Sequence, residues 1–133
     1  MNSILLDTNA YTGYLTGDKQ VLEFLAEADI VYLSVFVAGE LYAGFRGGRK
    51  YRENIIILDT FVNKPRVEFL NANRTTADIF GQIKETLKVA GTPLPINDIW
   101  IAAHAIETGS VLLTYDKHFA KIPGLRLWYY FPE

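Results

Sequence analysis

Apolar residues along this chain fall into two patterns, short continuous runs and longer segments with helical spacing. The short runs predict β-strands at Ile4–Leu6, Ile30–Leu33, Val67–Leu70, Val111–Leu113 and Leu125–Tyr129. Helical spacing predicts α-helices within Val21–Ala28, Val35–Phe45, Tyr51–Val62, Ala77–Val89 and Asp98–Ile106. Strands that alternate with helices are typical of an α/β fold with a mostly parallel sheet. We therefore expect one domain, residues 1–133, built as an α/β/α sandwich around roughly five strands.

One segment fits both patterns. The stretch IIILDT, residues 55–60, repeats most of the earlier ILLDT at residues 4–8. As a strand it would place Asp59 at a strand end. As a helix it would put Ile55, Leu58 and Val62 on one face and turn Asp59 away from them. The polar lead-in YREN favours the helix.

Composition narrows the classes of protein to consider. A chain of 133 residues that is 50% hydrophobic can bury a core, and it has no cysteine for disulfides or thiolate metal sites, which fits a cytoplasmic protein. No apolar stretch approaches the ~18 residues of a membrane span, and no secretory signal is recognisable, so we expect no membrane association. The net charge of −2 argues against a protein that coats nucleic acid by charge alone. It does not argue against an enzyme that binds a few phosphates.

Four carboxylates stand where this fold would bring them to one edge of the sheet. Asp7 follows the first predicted strand, and Asp116 follows the fourth, two residues after Thr114. Glu40 and Asp98 lie on predicted helices, on faces expected to point inward. Each acid except Asp7 has an ordinary alternative. Glu40 could reach solvent or pair with an arginine, Asp98 could cap its helix, and Asp116 could serve a turn.

Taken together, the four carboxylates indicate a metal site. Functional groups in such folds collect at the carboxyl ends of the strands, and crowded anions there repel one another unless a cation joins them. Mg²⁺ or Mn²⁺ takes oxygen ligands and keeps several waters. Carboxylate sites of this kind hydrolyse phosphodiesters with metal-activated water. Candidates to hold the carboxylates or waters in place from behind are Thr8, Asn9 and Thr114.

The chain resembles the PIN-domain nucleases and, more narrowly, the VapC-type toxin ribonucleases of toxin–antitoxin pairs. The matching motifs are LLDTN at residues 5–9, GELYAG at 39–44, NDIWIAAHAIETG at 97–109 and LLTYDKHFAKIPGL at 112–125. The resemblance implies a parallel sheet flanked by helices, Mg²⁺- or Mn²⁺-dependent cleavage of RNA, homodimers, and inhibition by a small cognate antitoxin. It also implies that the catalytic and metal-binding acids are Asp7, Glu40, Asp98 and Asp116, with Thr114 as their hydroxyl neighbour.

Further features lie outside this set of acids. The segment FRGGRKYR, residues 45–52, could contact RNA, bind an acidic part of the antitoxin, or remain a solvated loop. Its charges are Arg46, Arg49, Lys50 and Arg52. His104 is expected at the surface or in an interface. His118 follows Asp116 closely enough to approach the acids, but it is expected to leave its imidazole exposed. Trp100 and the stretch LWYYF, residues 127–131, could form a dimer surface but are expected to pack in the core.

Two other functions stay open from the residues alone. Strand-end aspartates also suit a phosphoaspartate protein, either a receiver domain or a phosphotransferase of the haloacid-dehalogenase type. Those proteins need a further acid where this chain has Thr8 or Asn9. The other alternative is a non-catalytic module that binds RNA or protein. Neither phosphoaspartate protein explains Glu40 or Asp98, and the complete set of four acids argues against the module.

Overall fold

A computed structural model describes residues 2–129, with the side chain of Tyr129 left aside. These residues form five strands: β1 Ser3–Leu6, β2 Ile30–Ser34, β3 Val67–Leu70, β4 Val111–Thr114 and β5 Arg126–Tyr129. They also form six α-helices: α1 Thr8–Leu15, α2 Lys19–Ala26, α3 Val35–Arg46, α4 Tyr51–Val62, α5 Arg74–Ala90 and α6 Ile96–Thr108. A 3₁₀ helix covers Lys117–Lys121 between β4 and β5.

The five strands form one parallel sheet in the order β3-β2-β1-β4-β5. The central strand β1 pairs with β2 on one side and β4 on the other, and Ile4, Leu5 and Leu6 are fully buried. A continuous apolar run is what a parallel strand needs when helices cover both of its faces. The predicted α/β fold with a five-stranded parallel sheet is confirmed.

The ambiguous IIILDT stretch is helical, as predicted. It lies within α4, where Leu58 is buried and Asp59 is exposed. Asp59 is therefore not a strand-end carboxylate. A phosphoaspartate site at this residue loses its structural basis.

Helix α1 is an element that the sequence pattern did not predict. Its eight residues contain two threonines and a glycine, and they lack a continuous apolar stripe. The helix forms because the Asp7 side chain caps its first turn, and because Ala10, Tyr11 and Gly13 pack inward. Helix α5 also begins three residues earlier than expected, at a capping box formed by Asn73 and Thr76.

Helix α6 is the most buried helix of the described fold. Ile101, Ala102, Ala103 and Ala105 each have an exposed fraction of 1% or less, and α6 packs against α5 and α3. Trp100 stacks between Phe36 of α3 and Phe80 of α5, with ring centroids 5.0 and 3.9 Å away. The expected core packing of Trp100 holds only in part, because its side chain is half-buried between these two rings.

The C-terminal aromatic stretch is described only in part. Trp128 of β5 stacks on Phe24 of α2, with ring centroids 5.2 Å apart. The side chain of Tyr129 and residues 130–131, for which core packing was also expected, lie outside the described residues. Within the described chain, no helix combines the length and the apolar character needed to cross a bilayer.

Candidate active site

The carboxyl ends of β1 and β4 form the floor of the candidate site. The two strands are neighbours, and the backbone N–H of Asp7 donates to the Leu113 carbonyl at 3.2 Å. Thr114, the last residue of β4, is fully buried, and its hydroxyl donates to Oδ2 of Asp7. Strand pairing therefore joins two residues that stand 107 positions apart in the chain.

Asp7 is a buried carboxylate with two hydrogen-bond donors. Its exposed fraction is 6%, and Oδ1 accepts the Ala10 N–H at 2.8 Å as the N-cap of α1. Burial raises the pKa of Asp7 to about 6, although the hydrogen bonds from Thr114 and Ala10 oppose the rise. The negative charges of Asp98 and Asp116 raise this pKa further. The acid at the end of the buried strand is thus hydrogen-bonded to the first turn of α1 and to a hydroxyl. Its ionisation still costs free energy because the side chain is buried.

Asp98 lies in the first turn of α6 and is not the residue that caps it. Helix α6 begins at Ile96 with Pro95 at the N-cap position, and no side chain caps this end. The Asp98 side chain is 22% exposed and lies 2.9 Å from Nε2 of His118 through Oδ2. Burial raises the pKa of Asp98, the contact with His118 opposes that shift, and the charge of Asp116 adds to it. The N-cap alternative is therefore removed.

Asp116 begins the 3₁₀ helix just beyond β4. Its backbone N–H donates to Oγ1 of Thr114 at 3.0 Å, which ties the loop to the buried end of the strand. Its side chain is 44% exposed, and Oδ1 accepts the backbone N–H of His118 at 3.1 Å. Asp7, Asp98 and Asp116 thus come from three separate elements and lie close enough to interact electrostatically.

His118 was predicted to leave its imidazole exposed, and that prediction is wrong. The side chain is 25% exposed and lies between two carboxylates, with Nε2 2.9 Å from Oδ2 of Asp98 and Nδ1 2.8 Å from Oδ1 of Asp116. The 3₁₀ turn that Asp116 caps brings the ring back to the two carboxylates. The signal available in the sequence was an aspartate two residues before the histidine at the start of a turn.

Glu40 lies at this end of the fold, but it does not face inward as predicted. Its side chain is exposed on α3, and Oε1 accepts the side-chain amide of Asn97 at 2.5 Å. Asn97 precedes Asp98 on α6, so this bond joins the helices that carry the two acids. Position 40 lies on the outer side of α3, since Val37 and Leu41 take the buried side.

The residues expected behind the carboxylates differ in what they contact. Thr114 bonds to both Asp7 and the backbone of Asp116. Thr8 buries its hydroxyl oxygen without a hydrogen-bond partner among the described residues, and Asn9 is exposed. The roles of Thr8 and Asn9 toward water or metal stay predictions.

The chemistry of this donor set fits a hard divalent cation. Asp7, Asp98 and Asp116 offer carboxylate oxygens, their mutual repulsion favours a positive charge between them, and Mg²⁺ and Mn²⁺ prefer such ligands. Within residues 2–129 no three His, Cys, Asp or Glu side chains already stand in a geometry that would hold a metal ion. An ion bound here would therefore require adjustment of these side chains, with water completing its ligands.

His104 was predicted at the surface or in an interface, and it is fully buried. Its Nδ1 lies 2.7 Å from the hydroxyl of Ser34, the last residue of β2 and the N-cap of α3. Burial lowers the pKa of His104, although the Glu107 carboxylate and the Asn71 carbonyl both oppose the shift. The prediction failed because other elements pack around most of α6. In the described part of the chain, no free face of the helix is left at the position of His104.

The basic segment continues from the end of α3 into α4. Its four charged residues are exposed, and the guanidinium of Arg46 lies 4.8 Å from the centre of the Tyr51 ring. The segment follows the helix that carries Glu40. These positions are Arg46, Arg49, Lys50 and Arg52.

Known proteins are similar to this chain over most of its length. The chain is 29% identical to ribonuclease VapC1 of Haemophilus influenzae strain R2866 over 127 residues, 92% of this chain and 93% of the relative. It is 32% identical to ribonuclease VapC2 of Rickettsia felis, over 80% of this chain and 78% of the relative. The crystal structure of VapBC2 from Rickettsia felis, bound to a DNA fragment from its promoter, superposes with a TM-score of 0.84. That likeness covers 96% of this chain and 98% of the other at 28% identity.

Sequence, fold and relatives agree on one family. Its sequence model, described as PIN domain, matches residues 4–125. The match includes β4, all but the first residue of β1, and the helices that carry Glu40 and Asp98. The chain belongs to the PIN domain family.

Proposed function

We propose that this protein is a divalent-metal-dependent endoribonuclease that acts as the toxin of a toxin–antitoxin pair. Its acidic site consists of Asp7, Glu40, Asp98 and Asp116, and its substrate is cellular RNA. The supporting relatives are named ribonucleases. This function would place the protein in the cytoplasm, where that RNA is found.

The observation that carries the proposal is the meeting of three acids at the carboxyl edge of the sheet. Each of Asp7 and Asp98 has a raised pKa, and Asp116 contributes to both shifts. Burial and mutual repulsion of ionised carboxylates destabilise the metal-free fold, and such groups are typical of functional sites. A cation bound between the acids would offset the repulsion and would also bind a phosphate of the substrate.

Each side chain has a distinct role in this proposal. Asp7, Asp98 and Asp116 would hold Mg²⁺ or Mn²⁺, and Glu40 would reach the site from α3. When bound, the ion supplies positive charge that stabilises the transition state at phosphorus and activates water for attack. Thr114 keeps the Asp7 carboxylate in one orientation. His118 holds Asp98 and Asp116 near each other.

A protein partner and self-association belong to the same proposal. The crystal structure of VapBC2 from Rickettsia felis, which covers 96% of this chain, supports a cognate antitoxin as the partner. We also infer a homodimer. The exposed charges Arg46, Arg49, Lys50 and Arg52 would bind RNA phosphates or an acidic segment of the antitoxin.

The test is cleavage of a panel of purified cellular RNAs in the presence of Mg²⁺, Mn²⁺ or EDTA. We expect at least one RNA to be cut with either metal and none in EDTA. Asp7→Asn should abolish cutting, and this control excludes a contaminating ribonuclease. Asp59→Asn changes an exposed acid on α4 in the same way and should retain full activity. Cleavage that survives EDTA would overturn the metal mechanism, and binding without cleavage would favour a non-catalytic RNA-binding module.

A further inference from the structure

We propose that Tyr115, seated against Gly13 and Asp18, is a positioning residue that fixes the loop bearing Asp116 and thereby raises the affinity of the site for its divalent cation. The inference rests on the proposed function. It concerns the three residues of the seat, Gly13, Asp18 and Tyr115, which neither bind the metal nor touch the reacting atoms.

Tyr115 stands between Thr114, the last residue of β4, and Asp116 of the site. Its ring is half-buried against the core, and its hydroxyl donates to Oδ2 of Asp18 at 2.7 Å. The acceptor is itself fixed in place. Oδ1 of Asp18 accepts two backbone N–H groups at the start of α2. The backbone N–H of Asp18 donates to the Gly13 carbonyl at 2.9 Å. The tyrosine therefore joins the loop to the corner between α1 and α2.

Gly13 makes room for the ring. A Cβ at this position would lie 2.0 Å from the Tyr115 hydroxyl oxygen and 3.0 Å from Cζ. Glycine inside a helix is ordinarily unfavourable relative to alanine. Any side chain at position 13 would push the ring away from α1 and break its bond to Asp18.

This seat controls the backbone that leads into Asp116. The loop has one anchor at Thr114, which bonds to Asp7, and a second at Tyr115. Beyond these, the 44% exposed Asp116 side chain bonds to the backbone and the ring of His118. Helix α1 is capped by Asp7 and carries Gly13 in its second turn, so it connects both anchors. Groups behind metal ligands typically change metal affinity by about 10–100-fold when they are removed.

The experiment is calorimetric titration of metal-free protein with Mn²⁺ alone. We expect Gly13→Ala to raise the Mn²⁺ dissociation constant by about tenfold. Tyr115→Phe keeps the ring and should raise it by a smaller factor. The double variant should bind at least as tightly as Gly13→Ala, because the atom 2.0 Å from the new Cβ is gone. Gly81→Ala is the matched control. This glycine is also helical but has open space around it, so Mn²⁺ affinity should not change.

The titrations separate a failure of the role of Tyr115 from a failure of the proposed metal mechanism. If the wild-type protein binds no Mn²⁺, the proposed metal mechanism fails and the inference fails with it. If the wild type binds Mn²⁺ and a folded Gly13→Ala binds equally well, only the inference is overturned. Additive losses in the double variant would also overturn it, because the two residues would then act independently. Should Gly13→Ala not fold, an unchanged dissociation constant for Tyr115→Phe would decide against the inference.

Discussion

At the scale of single residues, Asp7 gives a prediction about pH. Its pKa is raised from 3.8 to about 6 by burial, so the folded protein binds this proton more tightly than the unfolded chain does. Without metal, the stability that this group contributes is complete below pH 3.8 and is lost as the pH rises through about 6. At about 1.4 kcal/mol per pKa unit, the loss amounts to about 3 kcal/mol. Asp7→Asn should therefore stabilise the metal-free protein at pH 8 and have little effect near pH 4.

Urea unfolding of both proteins in EDTA at several pH values is the measurement. Asparagine caps a helix about as well as aspartate, so the cap of α1 is retained in the variant. Adding Mn²⁺ at pH 8 should narrow the difference, because the ion stabilises only the wild type. A stability difference that does not vary with pH would show that Asp7 is not the group responsible.

Sequence reasoning identified which acids to consider, but it did not identify how every side chain is oriented. Asp7 and Asp116 could be placed because strand ends in a parallel sheet share an edge. The contacts of His118 with Asp98 and Asp116 depend on a 3₁₀ turn whose shape the apolar pattern of the sequence does not specify. The outward side chain of Glu40 depends on which face of α3 meets the sheet.

At the scale of secondary-structure elements, the N-terminus of α6 tests the role of Asp98. An acid in the first turn of a helix stabilises it by about 0.3–1 kcal/mol through the helix dipole. Asp98→Asn gives up that interaction but removes a repelling charge from the cluster, so the metal-free variant should melt close to the wild type. With Mn²⁺ at about a hundred times its dissociation constant, the wild type should gain about 2.7 kcal/mol. The variant should gain much less, and its RNA cleavage should be lost.

Melting curves with and without Mn²⁺, run beside an RNA cleavage assay, check this prediction. Asp59→Asn on α4 is again the matched control, since it removes an exposed acid from another helix. It should show the wild-type response to Mn²⁺. An active Asp98→Asn with a normal Mn²⁺ response would remove Asp98 from the site.

The elements differ in how well the sequence predicts them. Helix α5 was predicted because its apolar stripe repeats over several turns. The IIILDT stretch of α4 also fitted a strand, and its polar lead-in decided for a helix. Helix α1 has no such stripe and depends on a cap from Asp7 and on burial under neighbouring elements. His104 was misplaced for a related reason. Periodicity gave α6 an outer face, whereas packing against α3 and α5 covers it.

At the scale of the whole molecule, the order of the strands creates the site. Alternating strands and helices predicted the parallel sheet, but not that β1 and β4 would be neighbours. That adjacency depends on contacts between residues more than 100 positions apart, such as the bond from Thr114 to Asp7. The agreement with the VapBC2 structure over 96% of this chain shows that the arrangement is a property of the fold.

The last prediction concerns the protein in the cell. The site opens to solvent at Asp116, whose side chain is 44% exposed, so an active nuclease would damage cellular RNA unless a partner blocked it. Expressed alone, the wild-type protein should arrest growth. We expect the gene beside it to encode a small antitoxin, and co-expression of the two should yield a complex that no longer cuts RNA. Asp98→Asn should bind the same partner without causing arrest, because it loses the metal site and keeps the fold. Growth that continues normally with the wild type alone, at a level where folded protein is recovered, would contradict the role of a toxin.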